Sequence, residues 1–238
     1  MNNSYGSADS NLYGGNTAAL DMARTFLARV FGWMTLGLLT TAGVSWWVAG
    51  TPEVRDFIFG SKVVFYGLII AQFAIVLLFG AAARRLPTAG VAALFLAYSA
   101  LMGSTLAAVF LVYELGSVGS TFIITAGTFG GMAAFGYVTK SDLSKAGAIA
   151  GMAVIGLVIA AVVNMFMHSS TMDMVISFVG VLIFVVLTAW DVQKLKAIGS
   201  EATPAEAGKY ALFGALTLYM DFINLFLFML RFFGNRRD

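Results

Sequence analysis

The fold class this sequence predicts is an all-α integral membrane protein, a bundle of seven transmembrane helices. Three observations carry that reading: the bulk composition, the number of long apolar runs, and the alternation of basic residues between them. Of 238 residues, 60% are hydrophobic and 11% charged, against roughly 25% charged in an average soluble domain. The mean hydropathy is +0.88. A soluble globule is excluded. A net charge of +2, spread between apolar runs, gives no footprint for nucleic acid. Cysteine is absent, so disulfides and thiolate metal sites are excluded while the redox compartment stays open.

The chain opens on "MNNSYGSADSNLYGGNTAAL", polar and rich in Gly, Ser and Asn. It lacks the basic n-region and short apolar core of a signal peptide and reads as a disordered cytosolic tail over 1–24. A bilayer crossing needs about 20 apolar residues. Seven stretches supply them: 27–49, 62–83, 89–112, 119–138, 146–167, 174–193 and 209–233. Together they form one transmembrane domain over 25–234, followed by a basic tail at 235–238. The breaks are short and hold most of the charge, and the longest is "QKLKAIGSEATPAEAGK". Inside it, Thr203-Pro204-Ala205-Glu206 has the order of an N-cap, a first-turn proline and a capping-box glutamate, so the last helix is expected to begin at about 204.

Lysine and arginine set the orientation. Arg24, Arg29, Arg84, Arg85, Lys140, Lys145, Lys194, Lys196 and Lys209 fall on one side, and only Arg55 and Lys62 fall in the alternate breaks. The N-terminus is therefore expected in the cytosol. Seven crossings put Arg231, Arg236 and Arg237 outside, whereas a re-entrant last segment would keep them inside. The unbroken, proline-free run 209–233 favours seven. Gly127-xxx-Gly131 and Gly147-xxx-Gly151 match the small-xxx-small pattern of closely packed membrane helices, within one chain or across a dimer.

Two acids stand apart from the solvated breaks. Asp191 closes the run "VLIFVVLTAWD", about a turn before Lys194, where an interfacial acid paired with that lysine is the plain alternative. Asp221 lies in "LYMDFINLFLFMLRFFG", roughly 18 Å along a helix from Lys209. An ionised carboxylate at that depth needs a partner, water or a proton, and an acid there is a functional candidate by default. Thr217 and Asn224 share its face at helical spacing, Phe222, Leu225, Phe226 and Met229 cover much of the rest, and Gly214 leaves room for a neighbour. Asp221 is thus expected to look inward. Arg231 is about 15 Å further along the same helix, too far to reach back. His168, the single histidine, falls in an outer break and argues against a histidine-based dyad. Two carboxyls brought close cannot both ionise cheaply; they share a proton and titrate as a coupled pair, a device suited to sensing protons or passing cations. Simple hairpin geometry sets Asp221 deeper than Asp191, so their contact is left open.

The segments 215–234 "ALTLYMDFINLFLFMLRFFG", 187–196 "LTAWDVQKLK", 139–144 "TKSDLS" and 83–103 "ARRLPTAGVAALFLAYSALMG" resemble the Bax inhibitor (transmembrane Bax-inhibitor-motif) family, in particular its bacterial members. The likeness covers nearly the whole chain after about residue 25. It implies a seven-helix bundle with the last helix central. It implies a pH-sensitive calcium leak gated by an aspartate pair, here Asp191 and Asp221, with a second-helix arginine, Arg85 or Arg84, as charge partner. Trp190 stands where many relatives have tyrosine. On this reading calcium or another cation is cargo, held only transiently by Asp191 and Asp221, with no resident cofactor and with the cytoplasmic (inner) membrane as host. Two other classes compete. A di-aspartyl intramembrane protease would use the same two acids, yet Leu218-Tyr219-Met220-Asp221 stands in place of that class's Gly-x-Gly-Asp, and an enzyme is not expected. A regulatory protein bound to a membrane protease or stress-response partner would need a docking motif, and none is readable.

Overall fold

The computed structural model describes residues 6–237, with the side chains of 6–18, 82–84 and 204 outside the description. Among the described residues eight helices follow one another: α1 (Gly6–Gly50), α2 (Pro52–Gly60), α3 (Lys62–Arg85), α4 (Thr88–Val112), α5 (Leu115–Val138), α6 (Ser144–Met167), α7 (Ser170–Glu201) and α8 (Pro204–Phe233). Seven of them, all but α2, are long and apolar enough to cross a membrane. The all-α membrane bundle expected from composition is what forms.

Local chemistry sets the ends. Pro52 opens α2 with Glu53 in its first turn, and Pro204 opens α8 with Glu206 in its own. Proline is pre-set for the first helical position, and an acid there meets the positive end of the helix dipole. The Thr203 cap falls where its motif predicts, with one difference. Its hydroxyl donates to the Glu206 carboxylate at 2.6 Å instead of accepting from an amide. His168 closes α6 in the left-handed conformation, with φ at 53° and its N–H on Asn164 O at 2.8 Å.

Three expectations change. The first break is not plain loop, because α2 occupies it and buries Ile58. The segment read as a disordered tail, 1–24, is helical from Gly6 onward, with residues 1–5 outside the described residues. Extending an existing helix costs no new nucleus, and Ala18, Ala19, Leu20, Met22 and Ala23 are willing formers. The long sixth break shrinks to residues 202–203, because α7 continues through Lys194 and Lys196 to Glu201. Hydropathy stops where charge begins, whereas the helix stops only where its hydrogen bonds do.

The C-terminus joins the end of the molecule opposite the start of α1. Glu114 N donates to Asn235 O at 3.0 Å, Arg237 N to Val112 O at 2.9 Å, and Asn235 N to Ser117 Oγ at 2.8 Å. Residues 235–237 thus sit beside the α4–α5 connection, three crossings away from the start of α1, as seven passes require.

Helix α8 is the most buried of the seven spans. In its most apolar stretch 67% of residues are buried, against 11% in α3. It packs on α7, α1, α5 and α4, and α7 in turn on α6, α5 and α1. Glycine permits the closest approaches. Gly136 of α5 lies on the Ala189 carbonyl of α7, and Gly147 of α6 lies against Trp190. Within the chain only Gly147 of the small-xxx-small glycines meets a neighbour, and Gly127, Gly131 and Gly151 face open space.

Candidate functional site

Asp191 and Asp221 come together between α7 and α8. Gly214 of α8 seats Leu195 of α7, and Phe184 stacks on Phe228 with ring centroids 5.8 Å apart. Between those two contacts the register brings the Asp191 and Asp221 side chains within hydrogen-bonding reach of each other. The depth mismatch expected from hairpin geometry is absorbed at the turn. The first turn of α8 runs beyond the end of α7 to the start of α4, where Gly208 meets Thr88. Both carboxyls are buried, Asp191 4% and Asp221 6% exposed.

Two carboxylates are acceptors only, so a hydrogen bond between them requires that one carry a proton. The surroundings are sparing with donors. Lys194 Nζ bonds Asp191 Oδ1 at 3.2 Å, one turn along α7. Asp221 Oδ2 is buried with no partner among the described residues. Lys194 itself is half exposed and lies 4.5 Å from the centroid of the Trp190 ring, which uses its π face on the cation. The pair is therefore asymmetric, with Asp191 tied to a surface lysine and Asp221 dependent on Asp191.

The other expected residues fall as follows. Thr217 donates its hydroxyl to Phe213 O at 3.1 Å, and Asn224 its amide to Met220 O at 2.9 Å. Both lie on the one face of α8 that is not fully packed, marked by Phe213, Thr217, Met220, Asn224 and Phe228. Asp221 stands at the edge of that face, and Phe222, Leu225, Phe226 and Met229 are buried as expected. Arg85 ends α3 with an exposed side chain, and no ion pair among the described residues involves it. The Arg84 side chain lies outside the described residues. Among the described residues the cation at the pair is Lys194, and α3 packs chiefly on α4 and α2. No three His, Asp or Glu side chains converge among the described residues. Two carboxyls fall short of the six to eight oxygens calcium prefers.

Sequence reasoning missed the hydroxyl network behind α8. Tyr219, fully buried, shares a 2.6 Å hydrogen bond with Thr41, whose hydroxyl also reaches Ser99 O at 2.9 Å. These bonds tie α8 to α1 and α4. Their signal, a tyrosine in an apolar run, does not name its partner. Gln72 was also missed; it is buried and donates to Leu101 O and Thr105 Oγ1 at 3.1 and 3.2 Å.

These features define a polytopic helical membrane protein with a buried carboxyl pair on its last two helices. A family model described as "Inhibitor of apoptosis-promoting Bax1" matches residues 23–238. The inner membrane protein YbhL of Escherichia coli is 47% identical over 217 residues, covering 90% of this chain and 93% of the relative. An uncharacterized protein of Borreliella burgdorferi is 42% identical over 215 residues, with 90% and 93% covered. One of Deinococcus radiodurans is 41% identical over 220 residues, with 92% and 94% covered. The chain belongs to the Bax inhibitor family.

Proposed function

We propose that this protein is a pH-sensitive leak channel for cations, calcium first, with the Asp191–Asp221 pair as its gate. The observation that carries the reading is the buried contact between two carboxyls, one tied to Lys194 and the other left with an unpartnered oxygen. With one proton between them the carboxyls hold α7 against α8. Loss of that proton leaves two negative charges face to face in a low-dielectric setting, where repulsion is poorly screened. The helices then separate, and the pair becomes an anionic station for a passing cation. Leak therefore rises as pH rises. In the closed state Lys194 is the cation on Asp191, and Arg85 or Arg84, which the family resemblance gives as charge partner, is the cation to engage once α3 moves.

The pair serves as sensor and not as catalytic dyad, since a salt bridge occupies the carboxyl that would activate water. An inner-membrane location is part of this reading, supported by the name of the Escherichia coli relative, which says so of that protein. A cytosolic N-terminus belongs to the same reading, supported by the basic residues on its side.

Calcium entry into proteoliposomes over a pH series tests the proposal, wild type beside Asp221→Asn. Asparagine can donate to Asp191 but cannot ionise, so the variant is expected to stay closed across the series. Wild-type vesicles that pass no calcium, or an Asp221→Asn variant with unchanged pH dependence, would overturn the assignment.

A further inference from the structure

The loosely packed face of α8 borders a cavity of about 410 Å³ that also reaches α3, α4, α6 and α7. Its walls are mostly apolar, with three polar side chains among them: Gln72 of α3, Tyr98 of α4 and Asn224 of α8. Their hydrogen bonding is one-sided. Gln72 and Asn224 both direct their NH2 groups at backbone carbonyls, which can only accept, and this fixes the amide orientation. Each amide oxygen is left facing away from those bonds, with no donor among the described residues. Tyr98 is 3% exposed, and its hydroxyl likewise has no hydrogen-bond partner among the described residues. Three polar side chains on three different helices, each with an oxygen that accepts no hydrogen bond among the described residues, therefore line one space. Asn224 is one helical turn beyond Asp221.

Polar atoms that border a cavity far larger than one water needs are satisfied by water or by an ion. The rim residues Phe73 and Val158 are exposed, so the cavity also opens toward the bilayer. An acyl chain there would leave all three oxygens unpartnered. Neutral carbonyl and hydroxyl oxygens suit a hard cation that keeps part of its water. They also hold it weakly, as a conduction path requires.

We propose that the cavity bordered by Gln72, Tyr98 and Asn224 is a hydrated station for the permeating cation, one helical turn beyond the aspartate pair along α8. It rests on the leak reading given above and adds a second site of opposite character, neutral where the first is anionic.

The absence of native cysteine makes the test direct. Asn224→Cys and, on a separate helix, Gln72→Cys are prepared in the full chain in nanodiscs. Each is treated with a trimethylammonium methanethiosulfonate reagent, with Ile155→Cys on the bilayer-facing side of α6 as reference. A thiol reacts as thiolate and so needs water, and the cavity cysteines are expected to be modified at least ~10-fold faster than the reference, with calcium slowing them. Rates equal to the reference at both positions mean a dry or lipid-filled cavity and overturn the proposal. Fast modification that calcium does not slow, together with unchanged calcium flux in Gln72→Leu and Asn224→Leu vesicles, overturns the cation role. Fast, calcium-protected modification in a protein whose wild-type vesicles pass no calcium supports the station and overturns the leak reading alone.

Discussion

Helices α3 and α8 are both long, apolar and membrane-spanning, yet they sit in opposite environments. Helix α3 is the more apolar and the less buried, with Val63, Ile70, Phe73 and Leu77 turned outward. Helix α8 is less apolar and the most buried, and it carries Thr217, Tyr219, Asp221 and Asn224. In water the ranking would be reversed. In a bilayer the lipid is as apolar as leucine, so hydropathy reports which surface the lipid touches, and packing and polar contacts decide which helix goes inside. Polar residues mark α8 as interior because the interior is where partners are.

That contrast can be broken by matched substitutions in the two helices, measured by unfolding in one detergent. Leu218→Ala, at a fully buried position of α8, is expected to cost ~2–5 kcal/mol through lost contacts and a residual cavity. Leu77→Ala, at an 80% exposed position of α3, should stay within about 0.5 kcal/mol. Equal costs would mean that burial does not separate the helices.

Glycine gives a comparison of sign. A Cβ at Gly214 of α8 would lie 2.7 Å from Leu195 Cδ2 and 3.2 Å from Val30 Cγ2, so Gly214→Ala should destabilise by ~1–3 kcal/mol. Gly67 of α3 faces open space, and Gly67→Ala should stabilise by up to ~1 kcal/mol through helix propensity alone. Smaller again is Tyr219→Phe, which removes the hydroxyl shared with Thr41 and is expected to cost ~1 kcal/mol in the same melts.

The smallest effect lies outside the membrane. Asp142 accepts from Ser144 N at 2.9 Å at the start of α6, and the Ser144 hydrogen bonds hold its carboxyl below the usual range. A carboxyl lowered in the folded state adds stability above its unfolded value and loses it as pH falls through the folded value. Asp142→Ala should therefore cost slightly at neutral pH and nothing in acid, a difference that melting at two pH values checks.

Much of this fold was legible in the sequence. Seven apolar runs became seven spans, because hydrocarbon tolerates little else than closed helices. Helix ends were less legible at the sixth break, where Lys194, Lys196 and Ala197 leave the apolar zone without leaving the helix. The inward turn of Asp221 was readable from its flanks. Its contact with Asp191 was not, because the register of α7 on α8 is set by Gly214, Gly180 and the turn beyond Glu201, none of which has a periodic signature. Lys194 was visible as a neighbour at helical spacing, whereas its hold on Asp191 depends on how far α7 extends. On α5 the small-residue motif meets no neighbour within the chain, since a glycine pattern does not say which side of a helix its own bundle covers.

The central claim is that Asp191 and Asp221 act as one titrating unit. A cycle of calcium flux against pH, comparing wild type, Asp191→Asn, Asp221→Asn and the double variant in proteoliposomes, tests it most directly. The account predicts that either single substitution abolishes the pH dependence and that the double variant loses nothing further, because a shared proton needs both carboxyls. Partial shifts in each single variant that add in the double would contradict it, leaving two independent acids where the account has one gate.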